Sequence, residues 1–229
     1  MRQVLVQIYE IQEPGEAEAV AALGVDRIGT VVLSREGWKA PVLRETVQAV
    51  QRAAVKGGLI PLFDDRQTVF RLLDYYQPDF IHFCEALSPF PADRQAVIRQ
   101  CDILIALQQA VRERFPTVEI MRSLSLPRPG IPGVEAIMAN ILAVMEKLAP
   151  MSDSFLLDTL QGAPGDRQKQ PVTGFVGITG ETCDWQIARR VVAQSPTPVI
   201  LAGGLDDGNG PMPGGRMAGR FVSARIWRK

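Results

Sequence analysis

Phe155-Leu156-Leu157-Asp158-Thr159 is an apolar run that stops on a carboxylate, and two glycine-bearing turns follow it, Gly177-Ile178-Thr179-Gly180 and Leu201-Ala202-Gly203-Gly204-Leu205. A run of this composition reads as a strand buried on both faces, the kind found in parallel sheets. A carboxylate where such a strand ends is costly to bury unless it is paired or has chemical work to do. Glycines bring backbone amides close to an anion, with no side chain in the way. The three segments together read as an acid–base centre beside a phosphate cradle. Taken alone, Asp158 could equally cap the turn that follows it.

Outward from this stretch, short β-branched runs alternate with helical patterns. Strands are expected at Val4–Tyr9, Arg27–Leu33, Leu59–Phe63, Phe80–Cys84, Val118–Leu126, Ser154–Thr159 and Pro198–Leu201. Helices are expected between them, at Pro14–Leu23, Pro41–Val55, Arg66–Tyr76, Ala92 to about Phe115, Val134–Leu148 and Asp184–Gln194. Pro14 and Gly24 mark the ends of the first helix, and Gly57-Gly58 reads as a break before the third strand. Seven βα repeats imply right-handed crossovers and a parallel sheet. The expected class is α/β, a single-domain (β/α)8 TIM barrel with its eighth unit degenerate or missing. The barrel is placed at residues 1–207 and an irregular C-terminal tail at 208–229, where glycine and proline are dense, although Phe221–Trp227 reads as a possible strand.

Catalytic groups of parallel barrels sit at the carboxyl ends of strands, which is where Asp158 falls, and phosphate often sits after strands seven and eight, near Gly203 and Gly204. Asp184 is placed to cap the helix after the first glycine loop. The chain has 229 residues, 46% of them hydrophobic, with 25 cationic and 25 acidic side chains. Balanced charge argues against nucleic acid as the main partner, and no apolar run is long enough to span a membrane. The three cysteines, Cys84, Cys101 and Cys183, are few and widely spaced, which suits a reducing, cytoplasmic setting without a zinc site. A single histidine, His82, leaves little material for a serine–histidine or multi-histidine metal mechanism.

Leu157-Asp158-Thr159, Gly177 through Trp185 and Leu201 through Leu205 resemble the Leu-Asp-Thr, Gly-Gly-Thr-Gly-Lys-Thr-Phe-Asp-Trp-like and Leu-Ser-Gly-Gly-Leu segments of the phosphoribosylanthranilate isomerase family. Ala21 through Asp26, Ile28-Gly29 and Gln77 through Ile81 match that family in outline, so the likeness covers roughly residues 3 to 207. It implies a (β/α)8 barrel that carries out an Amadori rearrangement in tryptophan biosynthesis. It also implies Asp158 as general acid, with Gly177, Thr179, Gly180, Gly203 and Gly204 around the phosphate. The partner implied is a small phosphorylated sugar–anthranilate substrate, with neither cofactor nor metal, in a monomer or weak homodimer.

Several positions depart from that pattern. Tyr9 stands where the family has its cysteine base, and Gln7 where it has a lysine. His82-Phe83-Cys84-Glu85 replaces a Gln-Leu-His-Gly segment, with Cys84 a candidate substitute thiol. Arg35 and Lys39 do not align with the family's strand-two arginine, and the Asp-Val-Ser-Ser-Gly segment of strand eight is unmatched. These departures leave open an alternative, a non-catalytic barrel that binds a sugar phosphate or a partner protein.

Overall fold

Every expected apolar run becomes a strand, and the helices between them lay their apolar sides on the outside of the sheet. The computed structural model describes residues 5–161, 172–177, 179–203 and 221–225, the last as backbone. The strands are β1 (Leu5–Tyr9), β2 (Arg27–Val32), β3 (Lys56–Pro61), β4 (Phe80–Phe83), β5 (Glu119–Leu126), β6 (Ser154–Thr159), β7 (Val199–Leu201) and β8 (Phe221–Arg225). The helices are α1 (Pro14–Ala21), α2 (Pro41–Arg52), α3 (Arg66–Tyr76), α4 (Arg94–Arg114), α5 (Val134–Leu148) and α6 (Trp185–Gln194). All neighbouring strands are parallel, and the sheet closes on itself in chain order.

Local chemistry sets the helix ends. Pro14 and Pro41 open α1 and α2, where the missing amide hydrogen costs nothing. Asp65 caps α3 by accepting from Thr68 N at 2.8 Å, and Asp184 caps α6 by accepting from Gln186 N and Ile187 N at 2.9 and 3.1 Å.

Strand alternation then sorts side chains into two layers. Outward residues such as Leu59, Ile81, Phe155 and Leu157 pack on Leu72 and Leu73 of α3, Ile141 of α5 and Ile187 of α6. Inward residues Phe80, Met121, Leu156 and Ile200 fill the barrel, with Val31, Ile60 and Cys84 in a second cluster. Full burial of such side chains stabilises the fold by about 1.5–3 kcal/mol each. At the amino end of the barrel Glu119 pairs with both Arg27 and Lys56, and the Arg27 guanidinium lies 4.9 Å from the centroid of the Phe80 ring.

One expectation is corrected. Gly57-Gly58 is not a break before β3 but lies inside it, with Gly58 opposite Phe80. A Cβ on Gly58 would stand 2.1 Å from Phe80 Cζ, so the glycine makes room for an aromatic ring inside the barrel. Within the C-terminal stretch, the possible strand at Phe221–Trp227 is observed at Phe221–Arg225. That strand pairs with β1 from Leu5↔Phe221 to Tyr9↔Arg225 and with β7 at Ile200↔Phe221 and Leu201↔Val222. Pairing on both sides outweighs a breaker-rich approach, because it satisfies the open edges of β1 and β7. Among the described residues no helix is long and apolar enough to cross a membrane.

Candidate active site

Asp158 is the last but one residue of β6 and shares the inward parity of Leu156, so it lies at the carboxyl-end mouth of the barrel. It is half-buried, and its Oδ1 accepts from Thr159 N at 2.7 Å. Two glycines close on it. A Cβ on Gly177 would stand 2.8 Å from Asp158 Oδ2; one on Gly203 would stand 3.4 Å from Oδ1 and 2.7 Å from Thr159 Oγ1. Their φ angles, 112° and 97°, lie in the region that side chains rarely adopt. Glycine is thus required twice over, by conformation and by the approach to the carboxyl group.

The remaining loop residues sit on the same rim. Thr159 Oγ1 donates to Glu181 O at 2.9 Å, tying β6 to the segment that carries Thr179 and Gly180. Thr179 Oγ1 accepts from Glu181 N at 3.2 Å, and Gly180 is exposed with φ of 65°. Arg128, in the loop after β5, approaches Glu181 at 3.4 Å. Gly204 lies outside the described residues. Asp158, Gly177, Gly203 and the 179–181 turn are therefore gathered in one place.

Tyr9 does not fit the role of a base. Its ring lies inward over Gly29, where a Cβ would stand 2.3 Å from Tyr9 Cδ1, and stacks on His82 at 5.4 Å between centroids. Its hydroxyl accepts from the Gln7 amide and donates to Met121 Sδ at 3.1 Å, pointing away from the mouth. Burial lifts the phenol well above its usual pKa near 10, more than Arg27 lowers it. A phenol held protonated and facing the barrel interior cannot accept a substrate proton at neutral pH.

The thiols are no better placed. Cys84 is buried against Val31 and Ile60, and burial together with the Glu85 carboxylate raises its pKa strongly. Cys183 is pushed up to about 12, mainly by burial. His82 Nε2 lies 2.8 Å from Ser123 Oγ, and burial, aided by Arg122, depresses its pKa to about 3. It is a neutral core histidine. Among the described residues no group of His, Cys, Asp and Glu is arranged to hold a metal ion.

Sequence reasoning missed what holds the loop after β6. Residues 174–176 return to the end of β4, where Phe175 forms an antiparallel bridge with Glu85. Ala86 N donates to Gly174 O at 2.8 Å and Val176 N to Cys84 O at 2.9 Å. Glu85 is itself paired with Arg122, which is fully buried between β5 and α4 and donates through Nε to Gln108 Oε1 at 3.0 Å. An arginine in the middle of an otherwise buried strand was the available signal, since such a charge demands a partner.

No protein-family model matches the chain. The N-(5'-phosphoribosyl)anthranilate isomerase 2 of Methanosarcina mazei is 33% identical over 207 residues, covering 89% of this chain and 76% of that protein. The isomerase structure from Pyrococcus furiosus superposes with a TM-score of 0.64 at 16% identity, over 97% of this chain and 88% of that one. A phosphoribosyl anthranilate isomerase in complex with reduced 1-(o-carboxyphenylamino)-1-deoxyribulose 5-phosphate gives 0.58 at 15% identity, over 97% and 87%. The structures share the barrel, and the archaeal relative shares a third of the sequence along most of it. The chain belongs to the phosphoribosylanthranilate isomerase family.

Proposed function

We propose that this barrel catalyses the Amadori rearrangement of N-(5-phosphoribosyl)anthranilate to the aminoketose phosphate, a step of tryptophan biosynthesis. The observation that carries this reading is the Asp158 carboxyl group, held between the backbones of Gly177 and Gly203 at the end of β6. In protonated form Asp158 gives its proton to the ribose ring oxygen as the C1–O bond breaks. The lone pair of the substrate nitrogen forms the C1=N bond. Loss of the C2 proton then yields an enolamine, which tautomerises to the aminoketose. The phosphate is bound by backbone amides around Gly177, Thr179, Gly180, Gly203 and Gly204, where glycine lets the chain approach an anion closely.

With Tyr9 turned inward, we assign removal of the C2 proton to Glu10, the carboxylate next along the chain. Glu10 is half-buried at the end of β1, and its φ of 65° takes it out of the strand alternation that points Tyr9 into the barrel. Backbone held in that region by a non-glycine residue is characteristic of functional positions. The protein acts in the cytoplasm as a monomer or weak homodimer. Purified protein is expected to convert phosphoribosylanthranilate, followed by loss of substrate fluorescence, and to rescue a tryptophan auxotroph lacking the isomerase. No turnover above background, with retained binding of ribose 5-phosphate, would move the reading to a sugar-phosphate-binding barrel.

A further inference from the structure

The loop after β6 does more than place Gly177 beside the acid. Phe175, two residues earlier, packs against the buried cluster of Val31, Ile60 and Cys84, together with Tyr9 and Leu62. Those residues come from the carboxyl halves of β1 to β4 and the positions just beyond them, whereas Asp158, Thr159 and Gly203 come from β6 and the end of β7. Phe175 is half-buried as a residue. Residues 174–177 therefore span the mouth from an aromatic wall on one side to the acid on the other.

The placement of Phe175 is tightly held. The antiparallel bridge to Glu85 and the two flanking hydrogen bonds to residues 84 and 86 fasten it to the end of β4. Beneath that attachment, Glu85 is tied to the fully buried Arg122, whose guanidinium also lies 4.9 Å from the centroid of the Phe83 ring. A half-buried aromatic residue on so anchored a backbone is preformed, and preformed apolar surfaces flanked by a few polar groups are how small-molecule sites are built.

We infer that Phe175 is a specificity-determining residue, the wall against which the aryl ring of an N-aryl glycosylamine phosphate packs. This rests on the isomerase reading for the orientation of the ligand. Phosphate at the glycines of β6 and β7 puts the reacting C1 and C2 beside Asp158, and the aryl group then extends towards β2 to β4. Offset or edge-on packing of two aromatic rings stabilises binding beyond area alone, and that gain is absent for a ligand without the ring.

Phe175→Ala and Phe175→Leu separate the possibilities, read by steady-state kinetics with phosphoribosylanthranilate and by calorimetry with two ligands. One ligand is the reduced aminoketose analogue, which carries the aryl group; the other is ribose 5-phosphate, which does not. Phe175→Ala is expected to raise KM and the Kd of the analogue about tenfold, with kcat changed less and ribose 5-phosphate binding as in wild type. Phe175→Leu should fall between. Equal KM and analogue Kd in wild type and Phe175→Ala would overturn the inference, and so would a parallel loss of ribose 5-phosphate binding, which marks general damage to the loop. If the wild type shows no turnover, the isomerase reading fails by itself; a selective loss of analogue binding in Phe175→Ala would still sustain the aryl wall, and its absence would end it.

Discussion

A carboxyl group clasped by two glycine backbones and a phenol turned into the barrel make opposite demands on the chemistry. Asp158→Asn keeps the shape but removes the proton needed for ring opening. It is expected to lower kcat by about 10²–10⁴-fold with the fold intact, as checked by activity and thermal melting together. Tyr9→Phe removes a hydroxyl that serves Gln7 and Met121, so its main effect should be a loss of about 1 kcal/mol in stability, with kcat within a few-fold of wild type. Glu10→Gln should instead depress kcat and leave melting almost unchanged. A Tyr9→Phe variant without activity, beside an active Glu10→Gln, would return the base to the phenol. His82 gives a further signature. Its folded pKa of about 3 lies below the unfolded value near 6.5, so between those limits the unfolded chain binds the extra proton. Stability from this group is full above about pH 6.5 and falls on acidification by about 1.4 kcal/mol per pH unit. Denaturant titrations from pH 4 to 7 should therefore show a shallower slope for His82→Gln than for wild type.

At the level of elements, β5 and α4 are joined to the end of β4 by one buried charge cluster. Glu85 is 5% exposed and Arg122 0%, and one oxygen of Glu85 and one terminal nitrogen of Arg122 have no hydrogen-bond partner among the described residues. A buried pair of this kind adds little net stability relative to an apolar substitute, but removing one partner strands the other charge. Arg122→Met is expected to cost about 3–5 kcal/mol in urea unfolding, and Glu85→Gln/Arg122→Met to recover much of it. Equal costs for the single and double variants would show that the pair is not the relevant contact. The glycines of β2 and β3 follow a simpler rule. Gly29 and Gly58 sit beneath Tyr9 and Phe80, so large side chains from β1 and β4 occupy the space their neighbours leave.

For the whole molecule, closure is the decisive property. β8 pairs with β1 over five residues and with β7 over two, and without it both strands would present open edges. A chain ending at residue 207 is therefore expected to self-associate or melt at a lower temperature than the full chain, as followed by size-exclusion chromatography and thermal unfolding. A monomeric truncation with unchanged melting would mean that the barrel does not depend on its eighth strand. The mouth shares this dependence, because β8 lies between β1, which ends at Tyr9, and β7.

Helix limits, strand alternation and the grouping of Asp158 with its glycines were legible in the chain because each has a local cause. A 3.6-residue or two-residue period, a capping side chain and a turn needing positive φ are all written within a few neighbouring positions. α5 and β6 accordingly fall on the residues that the pattern predicts. Partners distant in sequence set the rest. Gly58 reads as a breaker until Phe80 lies across it, and Tyr9 reads as a strand-end group until Gln7 and Met121 take its hydroxyl. Phe221–Arg225 gains its order from two edges formed elsewhere, and Phe175 from a bridge to Glu85. Such features depend on which surfaces meet when the sheet closes, and no local periodicity carries that information.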